Sequence, residues 1–157
     1  MKKFFLSLVA FSTLALVFCS CDNEEEDNNP IKTEQQNNDS TSFVGQLSVT
    51  FQGNDFITDD TKVSALLKGN AISLYFFGVK FVPQMPVTID LVVADIACST
   101  TNGIVEFQGD KIIPTMAGAP YKQYVAEDIK GTIKDGTINF SLTFGGIPTK
   151  YSGVVVK

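Results

Sequence analysis

The pair Asp135-Gly136 constrains this chain more than any other feature. Asp and Gly both accept the left-handed backbone that a type I′ turn needs at its two central positions, and here they stand between two alternating apolar runs. Residues 125–144 therefore read as one β-hairpin. With the turn placed, the register follows: Ile133 faces Ile138, Gly131 faces Phe140, Ile129 faces Leu142 and Glu127 faces Phe144. The opposite face carries Asp128, Lys130, Thr132, Lys134, Thr137, Asn139, Ser141 and Thr143, so one side is apolar and the other is wet. Gly131 leaves its backbone bare and Phe140 lies across it, the aromatic cover found in sheets that curl.

The same pattern recurs upstream. Phe43, Leu47, Val49 and Phe51 alternate with Gln46, Ser48, Thr50 and Gln52, the period of a half-buried strand, which Gly53-Asn54 ends. A polar link through Thr58, Asp59 and Asp60 is expected next, and residues 62–68 resume with Val63, Ala65 and Leu67 on one face. Gly69-Asn70 is a second two-residue turn signal, pairing Leu67 with Ile72, Ala65 with Leu74 and Val63 with Phe76. Parity then slips twice. Phe77, Val79 and Phe81 continue the apolar series out of phase, and within residues 87–96 the apolar set passes from Val87, Ile89, Leu91 and Val93 to Ala94, Ile96 and Cys98. A bulge or bend at Phe77-Gly78 and another near Ala94 would return these side chains to the core.

Asn102-Gly103 turns the chain into residues 104–108, with Val105 and Phe107 facing one way and Glu106 the other. Residues 109–124 are irregular, with a short strand expected near 111–113 and then a loop long enough to lie over one end of the domain. Gly145-Gly146-Ile147-Pro148 leads into a last strand over residues 150–157.

This amounts to about eight short antiparallel strands with no helical period. A sheet with one apolar face and no helix to cover it must pack as a sandwich or close on itself. Neighbour-to-neighbour hairpins favour closure, with the Val44 strand meeting the Val154 strand. The predicted fold is all-β, a small antiparallel up-and-down barrel.

Here the chain resembles the calycin-like (lipocalin-like) β-barrel family of Bacteroidota lipoproteins. The likeness rests on Ala71-Ile72-Ser73-Leu74-Tyr75-Phe76-Phe77-Gly78-Val79, on Pro86-Val87-Thr88-Ile89-Asp90-Leu91 and Val93-Ala94-Asp95-Ile96, and on residues 129–137. It spans residues 43–157. The resemblance implies a barrel with an interior cavity and brings no agreed ligand or catalytic residue.

The first 42 residues read differently. Lys2 and Lys3 precede an apolar run over residues 4–18, too short to span a membrane comfortably, so residues 1–20 read as a signal peptide. Phe18-Cys19-Ser20-Cys21 resembles the processing site of bacterial lipoproteins, with Cys21 lipidated behind the small Ser20. The acidic Asp22, Glu24, Glu25, Glu26 and Asp27 resemble a surface-export signal, the alternative being a charged tail that stops at the periplasmic leaflet. Residues 21–42 read as a disordered tether, poor in anything to bury. The expected address is the outer membrane, anchored by lipid, on the cell surface or its periplasmic face.

Charge and composition then exclude whole classes of chemistry. The tether carries seven acids against Lys32, whereas residues 43–157 carry ten acids against nine lysines and are nearly neutral, without a basic patch for nucleic acid. The chain has no histidine, so it builds no Ser-His-Asp triad, no Cys-His dyad and no histidine metal site. Cys98 is the only cysteine after Cys21, which rules out a disulfide within the domain. No cofactor, metal or catalytic set is expected.

Candidate binding residues are Phe51, Phe76, Phe107, Phe140, Leu142 and Phe144, which either line a pocket for an apolar molecule or fill the interior outright. Glu127, on the inward parity, would meet a polar group at the mouth or sit solvated on its rim. Tyr121 and Tyr124 beside Pro120 would stack on a sugar or cap the barrel end. Asp59 and Asp60 read as turn residues and Cys98 as a small apolar filler. A hydrolase built from Glu127 with Asp128 or Asp95 is disfavoured, because adjacent strand residues point to opposite faces. The expected role is binding of a small hydrophobic or glycan-like ligand, with a protein-interaction barrel of filled core as the alternative.

Overall fold

The computed structural model describes residues 39–82 and 84–156. The expectations for the signal peptide, Cys21 and the acidic part of the tether fall outside these residues. Ten strands follow in order: β1 (Asp39–Phe51), β2 (Asn54–Lys68), β3 (Ala71–Val79), β4 (Ile89–Thr101), β5 (Ile104–Gly109), β6 (Thr115–Met116), β7 (Ala119–Pro120), β8 (Ala126–Lys134), β9 (Thr137–Phe144) and β10 (Ile147–Val155). The eight longer strands run antiparallel, each beside its neighbour in the chain, and β10 pairs back onto β1 to close the barrel. Val44 meets Val154 at the seam.

Two-residue turns make the hairpins. Asp135 and Gly136 both have positive φ (49° and 73°), the type I′ geometry that matches the twist of the strands they join. At Gly69-Asn70 the glycine alone is left-handed (φ 54°), as a type II′ turn requires at its first central position. The first turn is Gln52-Gly53, one residue earlier than the sequence suggested, with Phe51 opposite Asn54. No polar link follows it. Residues 54–68 form one strand that pairs with β1 throughout, and β1 itself takes in Asp39–Ser42, residues whose composition suited the tether. There the Ser42 and Ser64 hydroxyls share a hydrogen bond of 2.8 Å.

The strands curl at bulges, and three of these share one device. Gln46 faces Asp59-Asp60, Ser73 faces Ala94-Asp95, and Leu142 faces Asp128-Ile129. In each pair one aspartate is left-handed (Asp60 φ 54°, Asp95 φ 56°, Asp128 φ 52°), the second residue of the pair at Asp60 and Asp95 and the first at Asp128. Aspartate tolerates this conformation better than most side chains. One extra residue reverses parity, so Val93 and Ile96 both point inward, as do Ala126 and Ile129. A fourth irregularity lies at Phe77-Gly78, as expected, where the Gly78 N–H donates to the Asp90 carboxylate at 2.6 Å. It turns Val79 and Phe81 inward but leaves Phe77 exposed on the wall, not in the core as the series suggested.

The bulge at Asp128 corrects the register read from Asp135-Gly136. Ile133 faces Ile138 and Gly131 faces Phe140 as expected, but Phe144 faces Ala126, and Glu127 faces Thr143. Glu127 thereby leaves the inward face.

Side chains fill the middle of the barrel. Phe76 stands edge-on to Phe140 (5.7 Å between ring centres) and to Phe144 (5.6 Å), while Phe140 stacks on Tyr151 (5.2 Å) and lies 6.3 Å from Phe107. Phe43, Leu47, Val63, Leu74, Leu91, Ile96, Ile129 and Ile138 close around them, essentially without exposure. Glycine makes room in the wall. A Cβ on Gly131 would overlap the Phe107 ring and the Phe140 Cβ, so both aromatics cover that bare backbone.

Candidate aromatic site at the loop end

The strand directions sort the connections onto two ends. One end holds the tight turns 69–70, 102–103 and 135–136, the start of β1 and the end of β10. The other holds turns 52–53 and 145–146 together with both long connections, 80–88 and 110–125. The chain therefore enters the barrel at the end opposite its long loops.

The 80–88 connection carries Phe81 into the loop end, where it is 1% exposed and packs on Phe144 at 4.7 Å. Its N–H donates to the Met85 sulfur at 3.2 Å, and the Met85 N–H closes on the Val82 carbonyl at 3.1 Å. Val87, read as the start of a strand, lies in this connection and is exposed; β4 begins two residues later.

The second connection is anchored at both sides. Ile112 and Ala126 exchange two backbone hydrogen bonds (2.9 and 2.8 Å), an isolated bridge where a short strand at 111–113 was expected. Thr115 pairs with Val92 of β4, so the β6–β7 hairpin covers the stretch of wall that β5 leaves at Gly109. The Tyr121 N–H then donates to the Pro114 carbonyl (2.7 Å), and a single 3₁₀ turn over Lys122–Tyr124 brings the two tyrosines together.

An aromatic ladder results. From Phe144 in the core it passes to Phe81, then to Tyr124 (6.4 Å, 29° between planes) and ends at Tyr121, stacked on Tyr124 at 5.2 Å and 16°. The two tyrosines are half-buried. Offset stacking of this kind holds each ring in place and leaves the last ring of the series as a preformed platform.

Of the residues proposed from sequence, Phe76, Phe107, Phe140, Leu142 and Phe144 lie in the core, packed on one another. Phe51 is half-buried at the loop end of β1, and Tyr121 and Tyr124 sit together at that same end. Glu127 is half-buried on the outer side of the Asp128 bulge, not on the inward face that the simple register implied. Phe81 was missed as a member of this site, although it continues the inward parity of Val79 beyond the Gly78 bend. Asp59 accepts from Gln46 Nε2 at 2.9 Å, and burial raises the Cys98 thiol above its ordinary pKa. Among the described residues no three or more Cys, Asp or Glu side chains gather as metal ligands.

Two hollows lie along the outer wall. A groove of about 370 Å³ runs over β1, β10, β9 and β8 beside Ser48, Lys130, Ser141 and Lys150, and one of about 230 Å³ lies between Tyr75, Phe77 and Val92 and the Ala117-Gly118 turn. Comparison with protein-family models, with curated proteins and with solved structures finds no match for this chain.

Proposed function

We propose that this chain is a cell-envelope lipoprotein of the calycin-like kind, anchored through Cys21, whose barrel is a binding module that works at its loop end rather than in its interior. The observation that carries this reading is the ladder Phe144–Phe81–Tyr124–Tyr121. It begins in a packed core, which offers a small molecule little room, and ends on a half-buried ring among the long connections. The ligand class that suits a fixed aromatic platform is a ring with an apolar face, a sugar or a small hydrophobic compound.

The test is native mass spectrometry of the full chain purified, without denaturation, from its own host. A small molecule retained by the wild type and absent from Tyr121→Ala supports the reading. A molecule retained equally by both proteins refutes the mouth as its site.

A second reading, a protein-interaction barrel, is favoured by the filled interior together with exposed apolar side chains on the wall, Ile57 and Phe77 among them.

A further inference from the structure

The barrel wall is not paired along its whole height. Pairing of β1 with β2 continues to Phe51 and Asn54 beside the first turn, whereas pairing of β2 with β3 stops at Lys62 and Phe77. Beyond that point β3 bends at Gly78 and follows β4, with Val79 opposite Ile89. Among the described residues, 54–60 of β2 are thus paired as a strand on one side only. The gap is a slot of about 350 Å³ between Asp55, Phe56, Ile57 and Thr58 on the strand and Lys80 and Val82 on the facing connection.

The turn sets which backbone groups look into this slot. Residues flanking a two-residue hairpin turn exchange hydrogen bonds, and the direction alternates along the strand. Asn54, Phe56 and Thr58 therefore bond toward β1, while Asp55 and Ile57 direct their N–H and C=O groups to the open side. Within the facing connection the Met85 N–H bonds to Val82, closing that loop on itself rather than on β2. On the outward face Ile57, 59% exposed, stands between Asp55 and Asp59 at two-residue spacing. Asp55 accepts from Thr50 Oγ1 at 2.6 Å and Asp59 from Gln46 Nε2 at 2.9 Å, each through one carboxylate oxygen, and Lys80 is the cation on the slot's wall.

We infer that the open edge of β2 is a docking site for an extended peptide segment of a partner protein, which adds as a strand and sets an apolar residue on Ile57 with basic residues against Asp55 and Asp59. Strand addition gives affinity through the backbone and specificity through alternate side chains. Opposite charges directly across a strand pair stabilise it and like charges destabilise it. A second copy of this chain, brought edge to edge, would set the same carboxylates against each other, and the acidic residues 22–27 of the chain carry the same sign. The inference rests on the protein-interaction reading and is independent of the tyrosine platform.

The experiment titrates the full chain at low salt with a capped extended peptide whose central valine has lysine two residues away on each side, and follows backbone amide shifts. Expected are shifts confined to residues 55–60 and 80–82, weakening with salt, and no response to the same peptide with glutamate for lysine. Ile57→Pro removes one outward N–H, leaves the bonds to β1 in place, and weakens binding about tenfold. Ile57→Thr keeps that N–H and weakens it less, which preserves the test if the proline variant does not fold. Shifts elsewhere, equal binding of the glutamate peptide, unchanged binding by Ile57→Pro, or a dimer formed through this edge would each overturn the inference. Tyr121→Ala leaves peptide binding unchanged, so failure here and failure of the loop-end reading are separable.

Discussion

Tyr151 shows how a single polar group is accommodated in this core. Its ring stacks on Phe140, and its hydroxyl donates to the Thr61 carbonyl at 2.9 Å, at the edge of the Asp60 bulge. Gly153 makes this possible, since a Cβ there would lie 2.5 Å from the Tyr151 oxygen. Tyr151→Phe leaves the Thr61 carbonyl without this donor and is expected to cost about 1–3 kcal/mol, read from urea midpoints at neutral pH. Burial also pushes the Tyr151 pKa up to about 12 from its ordinary value of 10. Between those values the unfolded chain releases the phenol proton while the folded chain keeps it, so the stabilisation is complete below pH 10 and is lost as pH rises toward 12. Stability of the wild type should fall more steeply across that window than stability of Tyr151→Phe.

At the scale of elements, the hairpin around Asp135-Gly136 was legible because turn chemistry and alternation agree over Ile133–Ile138 and Gly131–Phe140. The next pairs were not, because an αL aspartate inside a strand has no mark in a count of alternation. Yet Ala94-Asp95-Ile96 and Glu127-Asp128-Ile129 place aspartate before isoleucine in the same way, and the first was recognised as a slip only because large apolar residues flank it on both parities. At Glu127 the residue before the slip is the small Ala126, so the same signal was silent. The account predicts that Asp128→Gly stays within about 0.5 kcal/mol of wild type, whereas Asp128→Val loses about 1–2 kcal/mol through its left-handed backbone. Thermal unfolding of the two variants checks this.

For the whole molecule, closure was legible from short hairpins and an uncovered apolar face, and eight strands form the barrel as expected, with the two-residue β6 and β7 added in the irregular stretch. The candidate site was only half legible. Tyr121 and Tyr124 stand out by their place beside Pro120, and the parity of Val79 and Phe81 directs Phe81 to the core, but the contact that joins Phe81 to Tyr124 depends on how the two long connections pack together. Phe81→Ala is expected to cost about 3–5 kcal/mol, as for other buried phenylalanines, and to loosen the tyrosine pair above it. Amide exchange should speed up across residues 121–124 in that variant and stay protected in β9 and β10.

Side chains fill the barrel, and the binding proposed for this chain therefore falls outside its interior. Crystals of the protein pressurised with xenon test this most directly, because xenon enters dry apolar cavities without needing a specific contact. The account predicts no xenon among Phe76, Phe107, Phe140 and Tyr151. A xenon atom enclosed by those rings would show a usable interior and contradict it.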